Sequence, residues 1–195
     1  AGLYASNGRY DDAEPLYLRA LEARERTLGP EHPSTLRSVN NLGLLYKRQG
    51  RYTKAEPLYL RALEARERTL GSEHPDTLTS VSNLSSLYKL QGRYKQAEAL
   101  LLRDLEASER TLGPEHPNTL ISVNNLAGLC MSQGKYDEAE PLHLRALEAR
   151  GRVLGTEHPS TLRSVNGLGS LYHSQGRYND AEPLFLRSFE AKERT

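Results

Sequence analysis

The chain has 195 residues, enough for one or two domains, and its 26 Lys and Arg against 25 Asp and Glu create no global field that would draw it to nucleic acid or an anionic membrane. Hydrophobic residues make up only 37%, yet 34 leucines supply apolar material for a core and exclude a disordered chain. The longest apolar run, Ala99 to Leu102, falls far short of the ~20 residues that span a bilayer, so no membrane partner is expected.

In chain order, one unit recurs. Gly8, Gly50, Gly92, Gly134 and Gly176 are each 42 residues apart, and the same step links Tyr10 to Tyr52, Tyr94, Tyr136 and Tyr178. It also links His32, His74, His116 and His158, each inside Glu-His-Pro. The expected organisation is a single repeat array over 1–195. Residues 1–33 form a partial repeat, followed by repeats at 34–75, 76–117, 118–159 and 160–195. The partial repeat enters partway through an A helix, Ala1 to Asn7, and then carries a B helix.

The repeat at 34–75 shows the elements. Ser34 and its counterparts Asp76, Asn118 and Ser160 all carry a short oxygen acceptor, which predicts the N-cap of a first helix, A. Leu36, Val39, Leu42, Leu45 and Tyr46 follow at helical spacing, and Gly50 suits a left-handed C-terminal cap. Ala55, Leu58, Tyr59, Ala62 and Leu63 then define a second helix, B, which runs through Glu64-Ala65-Arg66-Glu67-Arg68 to Leu70. Pro57 lies near its start, where a missing N–H costs least.

Val39-x-x-Leu42-Gly43-x-x-Tyr46 followed by Ala55-x-x-x-Tyr59 resembles the tetratricopeptide repeat, with Val in place of the usual Trp. The 42-residue period, the Gly-(Lys/Arg)-Tyr turn and the Leu-Gly-x-(Glu/Asp)-His-Pro loop are similar to the variety found in kinesin light chains. The resemblance implies an all-α, right-handed solenoid of stacked antiparallel helix pairs whose A helices line a concave peptide groove.

Several chemical readings fail on geometry. The four Glu-His-Pro histidines sit one repeat apart, ~10 Å in a helical stack, so two cannot share a zinc whose ligands lie ~2 Å away. Cys130 and His143 occupy places held elsewhere by tyrosines of the core, Tyr46 and Tyr59 among them, and are not a nucleophile and its base. All eleven tyrosines fall at repeat positions and read as packing rather than base-stacking platforms. The Glu-Ala-Arg-Glu-Arg runs read as a solvated face with internal ion pairs. No catalytic, metal or cofactor site is expected, and the chain reads as a non-enzyme. The lone Cys130 fits a reducing, cytoplasmic compartment.

The repeats differ from one another where a ligand would touch. Arg37 becomes Thr79, Ile121 and Arg163; Lys47 becomes Lys89, Met131 and His173; Arg48 becomes Leu90, Ser132 and Ser174. At ~100° per residue, positions 37, 40, 44, 47 and 48 share one arc opposite Val39, Leu42 and Tyr46. Within that arc Asn40 recurs as Asn124 and Asn166, with Ser82 the exception, although Asn is a poor mid-helix residue. The resemblance implies that these asparagines hydrogen-bond a bound peptide's backbone. They are expected to lie off the packing face.

The candidate peptide-binding set is therefore Asn40, Ser82, Asn124, Asn166, Arg37, Lys47, Arg48, Lys89, Arg163 and His173. The A segments contain Arg37, Lys47, Arg48, Lys89 and Arg163 but only one acid, Asp76, so an acidic peptide is the expected partner. Three repeats, ~30 Å, call for about nine extended residues. RNA is not expected, because the A helix of 118–159 has no Lys or Arg for phosphate. The alternative function is a structural spacer or a self-associating array. No capping helix follows the last B helix, which suggests an excised piece of a longer protein. Leu16 and Leu21 at one end, and Leu184, Phe185 and Phe189 at the other, are expected to be uncovered and to stack end to end between copies.

Overall fold

The structure, a computed structural model, describes residues 10–193. Among them the elements are helices only: α1 (Tyr10–Leu28), α2 (Pro33–Arg48), α3 (Tyr52–Leu70), α4 (Pro75–Leu90), α5 (Tyr94–Leu112), α6 (Pro117–Ser132), α7 (Tyr136–Leu154), α8 (Pro159–Ser174) and α9 (Tyr178–Glu193). Odd-numbered helices are B helices and even-numbered ones are A helices. The expected A helix at Ala1 to Asn7 lies outside the described residues. The chain divides into two compact units, Ala1–Ala97 and Glu98–Thr195, and the division falls inside α5.

In the first unit α2 packs on α1 and α3, α3 packs on α4, and the two A helices α2 and α4 touch. Leu36, Val39, Leu42 and Leu45 of α2 are buried, as are Leu78, Val81, Leu84 and Leu87 of α4. In the second unit α6 packs on α7, α7 on α8 and α8 on α9, while the A helices α6 and α8 touch. The same four positions are buried there, for example Leu120 to Leu129 and Leu162 to Leu171. Burying one apolar stripe per helix against both neighbours is what a stacked repeat requires.

The N-caps of the A helices sit two residues before the expected positions, at His32 rather than Ser34 in α2. Pro33 is the first helical residue and His32 is the N-cap, its ring Nδ1 accepting from the Ser34 N–H at 3.2 Å. His74, His116 and His158 do the same at α4, α6 and α8. The fixed φ of proline suits the first helical position, which hands the cap to the histidine. At the other end Gly50, with φ +72°, donates to Lys47 O while Arg51 N–H reaches back to Tyr46 O, a Schellman closure that favours glycine. Arg51 then bonds Glu14 at 2.5 Å and lies over the Tyr46 ring, whose hydroxyl donates to the same carboxylate at 2.9 Å. Arg93 with Glu56 and Arg177 with Glu140 repeat this clamp. The Gly-Arg-Tyr turn thus ties three of the helix pairs to the B helix before them, while at the Gly-Lys-Tyr turn Lys135 approaches Glu98 at 3.9 Å.

Leu21, expected to be uncovered, is 7% exposed, whereas Leu16 is 37% exposed. No helix among the described residues is long and apolar enough to cross a membrane.

Candidate binding surface

The candidate residues are positioned by the A helices. In the first unit Arg37 and Arg48 are exposed, and Lys47, Ser82 and Lys89 are half-buried. Lys47 Nζ donates to Ser86 Oγ at 3.1 Å, crossing from α2 to α4. Burial, then the positive charges of Arg48 and Lys89, holds the Lys47 ammonium below the usual lysine range. Arg48 and Lys89 thus both act on the Lys47 charge. In the second unit Arg163 and His173 are exposed, and His173 stands edge-on to Tyr178 at 5.2 Å between ring centroids.

The asparagines are not all off the packing face. Asn40 is 8% exposed, and its Oδ1 is buried without a hydrogen-bond partner. Asn124 and Asn166 are half-buried. With the Asn124 amide set so that its oxygen faces α7, it accepts from both terminal nitrogens of Arg150, Nη2 at 3.1 Å. That fixes its NH2 as a donor toward anything outside.

The Glu-Ala-Arg-Glu-Arg runs depart from the expected solvated face. Arg66 and Arg150 are 5% and 3% exposed, donating to Ser80 Oγ at 2.7 Å and Ser164 Oγ at 2.6 Å. Burial lowers the affinity of both guanidiniums for their proton. Neighbouring B helices are also joined by ion pairs: Arg61 meets Glu25 at 2.6 Å, and Arg145 meets Glu109 at 2.5 Å. The sequence signal for the buried arginines is paired recurrence: Arg24, Arg66 and Arg150 repeat in step with Ser38, Ser80 and Ser164.

Cys130 and His143 are both buried, 5% exposed each. Burial pushes the Cys130 thiol up and the His143 imidazole down, and His143 Nε2 lies 3.3 Å from Met131 Sδ. Neither is poised for proton transfer with the other. Among the described residues no three His, Cys, Asp or Glu side chains gather where they could hold a metal.

The sequence profile of the Tetratricopeptide repeat matches residues 1–66, 38–103, 82–130 and 120–194. No curated protein matches the sequence. Among solved structures, a point variant of a Podosopora anserina protein described as a kinesin light chain with nearly identical TPR-like repeats is 30% identical. It superposes at a TM-score of 0.79, over 98% of this chain and 92% of that one. BtubC (BKLC) from P. vanneervenii is 26% identical at a TM-score of 0.77, over 99% of this chain and 77% of that one. MamA, at 16% identity and a TM-score of 0.57 over 98% of this chain and 93% of that one, shares the fold alone. Helix pairs on a 42-residue period, Schellman-closed A helices and a profile running nearly end to end converge on one assignment: the chain belongs to the tetratricopeptide repeat family, in the kinesin light chain-like variety.

Proposed function

We propose that this tetratricopeptide array, a protein-interaction scaffold, binds an extended acidic peptide on the outward face of its A helices. The observation that carries the reading is the cluster of Lys47, Arg48 and Lys89 in the first unit. Burial, and after it repulsion from Arg48 and Lys89, disfavours the charged form of Lys47 there. A carboxylate laid across them would relieve that repulsion and form charge-assisted hydrogen bonds. Asn40 supports it, because a buried carbonyl oxygen without a partner fits a peptide N–H. Asn124, its oxygen engaged by Arg150, offers N–H donors to a peptide carbonyl. In this reading Arg37 and Ser82 border the A-helix faces of the first unit, and Arg163, Asn166 and His173 border those of the second.

Fluorescence anisotropy with labelled Asp/Glu-rich nonapeptides tests it. Charge reversal at Lys47, Arg48 and Lys89 together should weaken binding at least about tenfold, and raised salt should weaken the wild type. Equal affinity for wild type and variant would reject the assignment and leave the spacer reading.

A second reading, association between copies, rests on α9. Phe185, Leu186 and Phe189 are 37%, 52% and 59% exposed and border a cleft of about 440 Å³ with His173 and Tyr178. Tyr59 and Leu63 in α3, the counterparts of Phe185 and Phe189, are buried, which is the fate of this face when another helix covers it. Sedimentation at rising concentration should show association that Phe189→Glu abolishes; a persistent monomer rules the reading out.

A further inference from the structure

The repeat at 76–117 changes three positions together. It carries Ser82 where other repeats have Asn40, Asn124 and Asn166. It carries Asp104 where α1, α3 and α7 have Ala20, Ala62 and Ala146, and Ser108 where they have Arg24, Arg66 and Arg150.

The arginines of α3 and α7 show what the surrounding acceptors do. Arg66 Nη1 donates to Ser80 Oγ at 2.7 Å and to Asp76 O at 2.9 Å. Arg150 Nη1 donates to Ser164 Oγ at 2.6 Å and to Ser160 O at 3.4 Å. Between α5 and α6 the matching acceptors are Ser122 Oγ and Asn118 O, which lie 3.3 Å from each other. No arginine of α5 stands at this place, since the residue is Ser108.

A carboxyl group has been added instead. Asp104 is 3% exposed; Ser122 hydrogen-bonds it, but its Oδ1 is buried without a partner. One turn on, Ser108 is fully buried and its Oγ also lacks a partner. Residues four apart share a helix face, so the orphaned oxygen and hydroxyl belong to one patch. Buried polar atoms are nearly always paired, and two orphans on one patch mark a place built for a donor. That donor must be cationic and several-pronged, because the acceptors are a carboxylate, two hydroxyls and a carbonyl.

We propose that the Asp104–Ser108–Ser122 cluster binds an alkylguanidinium, the head group of an arginine side chain supplied from outside the chain. The planar fork of a guanidinium fits a carboxylate bidentately and still leaves N–H groups for the hydroxyls. The bonds of Arg66 and Arg150 to the matching serines are the internal precedent. The site does not depend on the acidic-peptide reading.

Thermal unfolding at neutral pH tests it, with millimolar N-methylguanidinium against sodium chloride of equal ionic strength. The wild type should gain at least ~2 °C over the salt control. Asp104→Ala, which installs the residue of the sibling helices and so should fold, should gain nothing. Ser108→Arg should melt higher than wild type without ligand and also be indifferent to it. An arginine-containing peptide run beside the free ion distinguishes a chain-borne guanidinium from a free one. An equal response in wild type and Asp104→Ala, or a Ser108→Arg variant that still responds to the ion as wild type does, would overturn the proposal.

Discussion

Asp104 is held almost fully out of water with Ser122 as its hydrogen-bond partner, and burial pushes its carboxyl above the ordinary value of 3.8, with only Ser122 and Arg103 working the other way. A carboxyl whose folded pKa is raised binds its proton more tightly in the native state. Its contribution to stability is fully present below about pH 3.8, where both states are protonated, and is lost as pH rises through the folded pKa. Asp104→Ala should therefore be more stable than wild type at pH 7, by about 1–3 kcal/mol. The gap should narrow as pH falls toward 4. Urea unfolding of both proteins across that range measures the gap, and a pH-independent difference would show that burial does not shift the carboxyl's pKa between the folded and unfolded states. Arg66 and Arg150 mirror this case: each stays charged in the interior because serine hydroxyls and carbonyls surround its fork.

At the scale of the element, close packing between A and B helices decides which residues are free to vary. A Cβ added to Gly43 would come within 2.8 Å of Tyr59 Cε1, and Tyr59 is fully buried with no room to retreat. Gly151, inside α7, would meet nothing within 4 Å. Alanine at 43 gains about 1 kcal/mol of helix propensity but meets an overpacking cost of about 1–3 kcal/mol, so Gly43→Ala should destabilise. Gly151→Ala should stabilise by about 1 kcal/mol. Chemical denaturation of the two variants side by side tests both; a shift of the same sign in both would mean that the Tyr59 contact does not govern position 43. Helix identity, spacing and the buried Leu-Val-Leu-Leu stripes are legible in the sequence because apolar period and glycine punctuation act locally. The cap is harder to place because Ser34 and His32 both offer an acceptor, and the fixed φ of Pro33 decides between them. The buried arginines are hidden for another reason. A charged residue in a charged run signals solvent unless its recurring serine partner, on the next helix, is noticed.

Across the whole molecule, charge is sorted by helix type rather than by position along the chain. A net charge of +1 conceals A segments that hold Arg37, Lys47, Arg48, Lys89 and Arg163 against Asp76 alone. The B helices carry most of the acids and spend several of them on arginines of the helices and turns that follow. What the sequence can show of the proposed binding surface is its sign and its variability. The engagement of Asn124 by Arg150 and the burial of Asn40 come from packing between helices that are separate in the chain. The central claim, that ligands meet the A helices, is tested most directly by site-specific photo-crosslinking. A benzophenone amino acid would replace Leu44 or Ser170 on A helices, and Glu64 or Glu148 on B helices, in separate variants presented with an acidic nonapeptide. Adducts should form from Leu44 and Ser170 and be competed by unlabelled peptide. Adducts forming equally well from Glu64 and Glu148 would contradict the account.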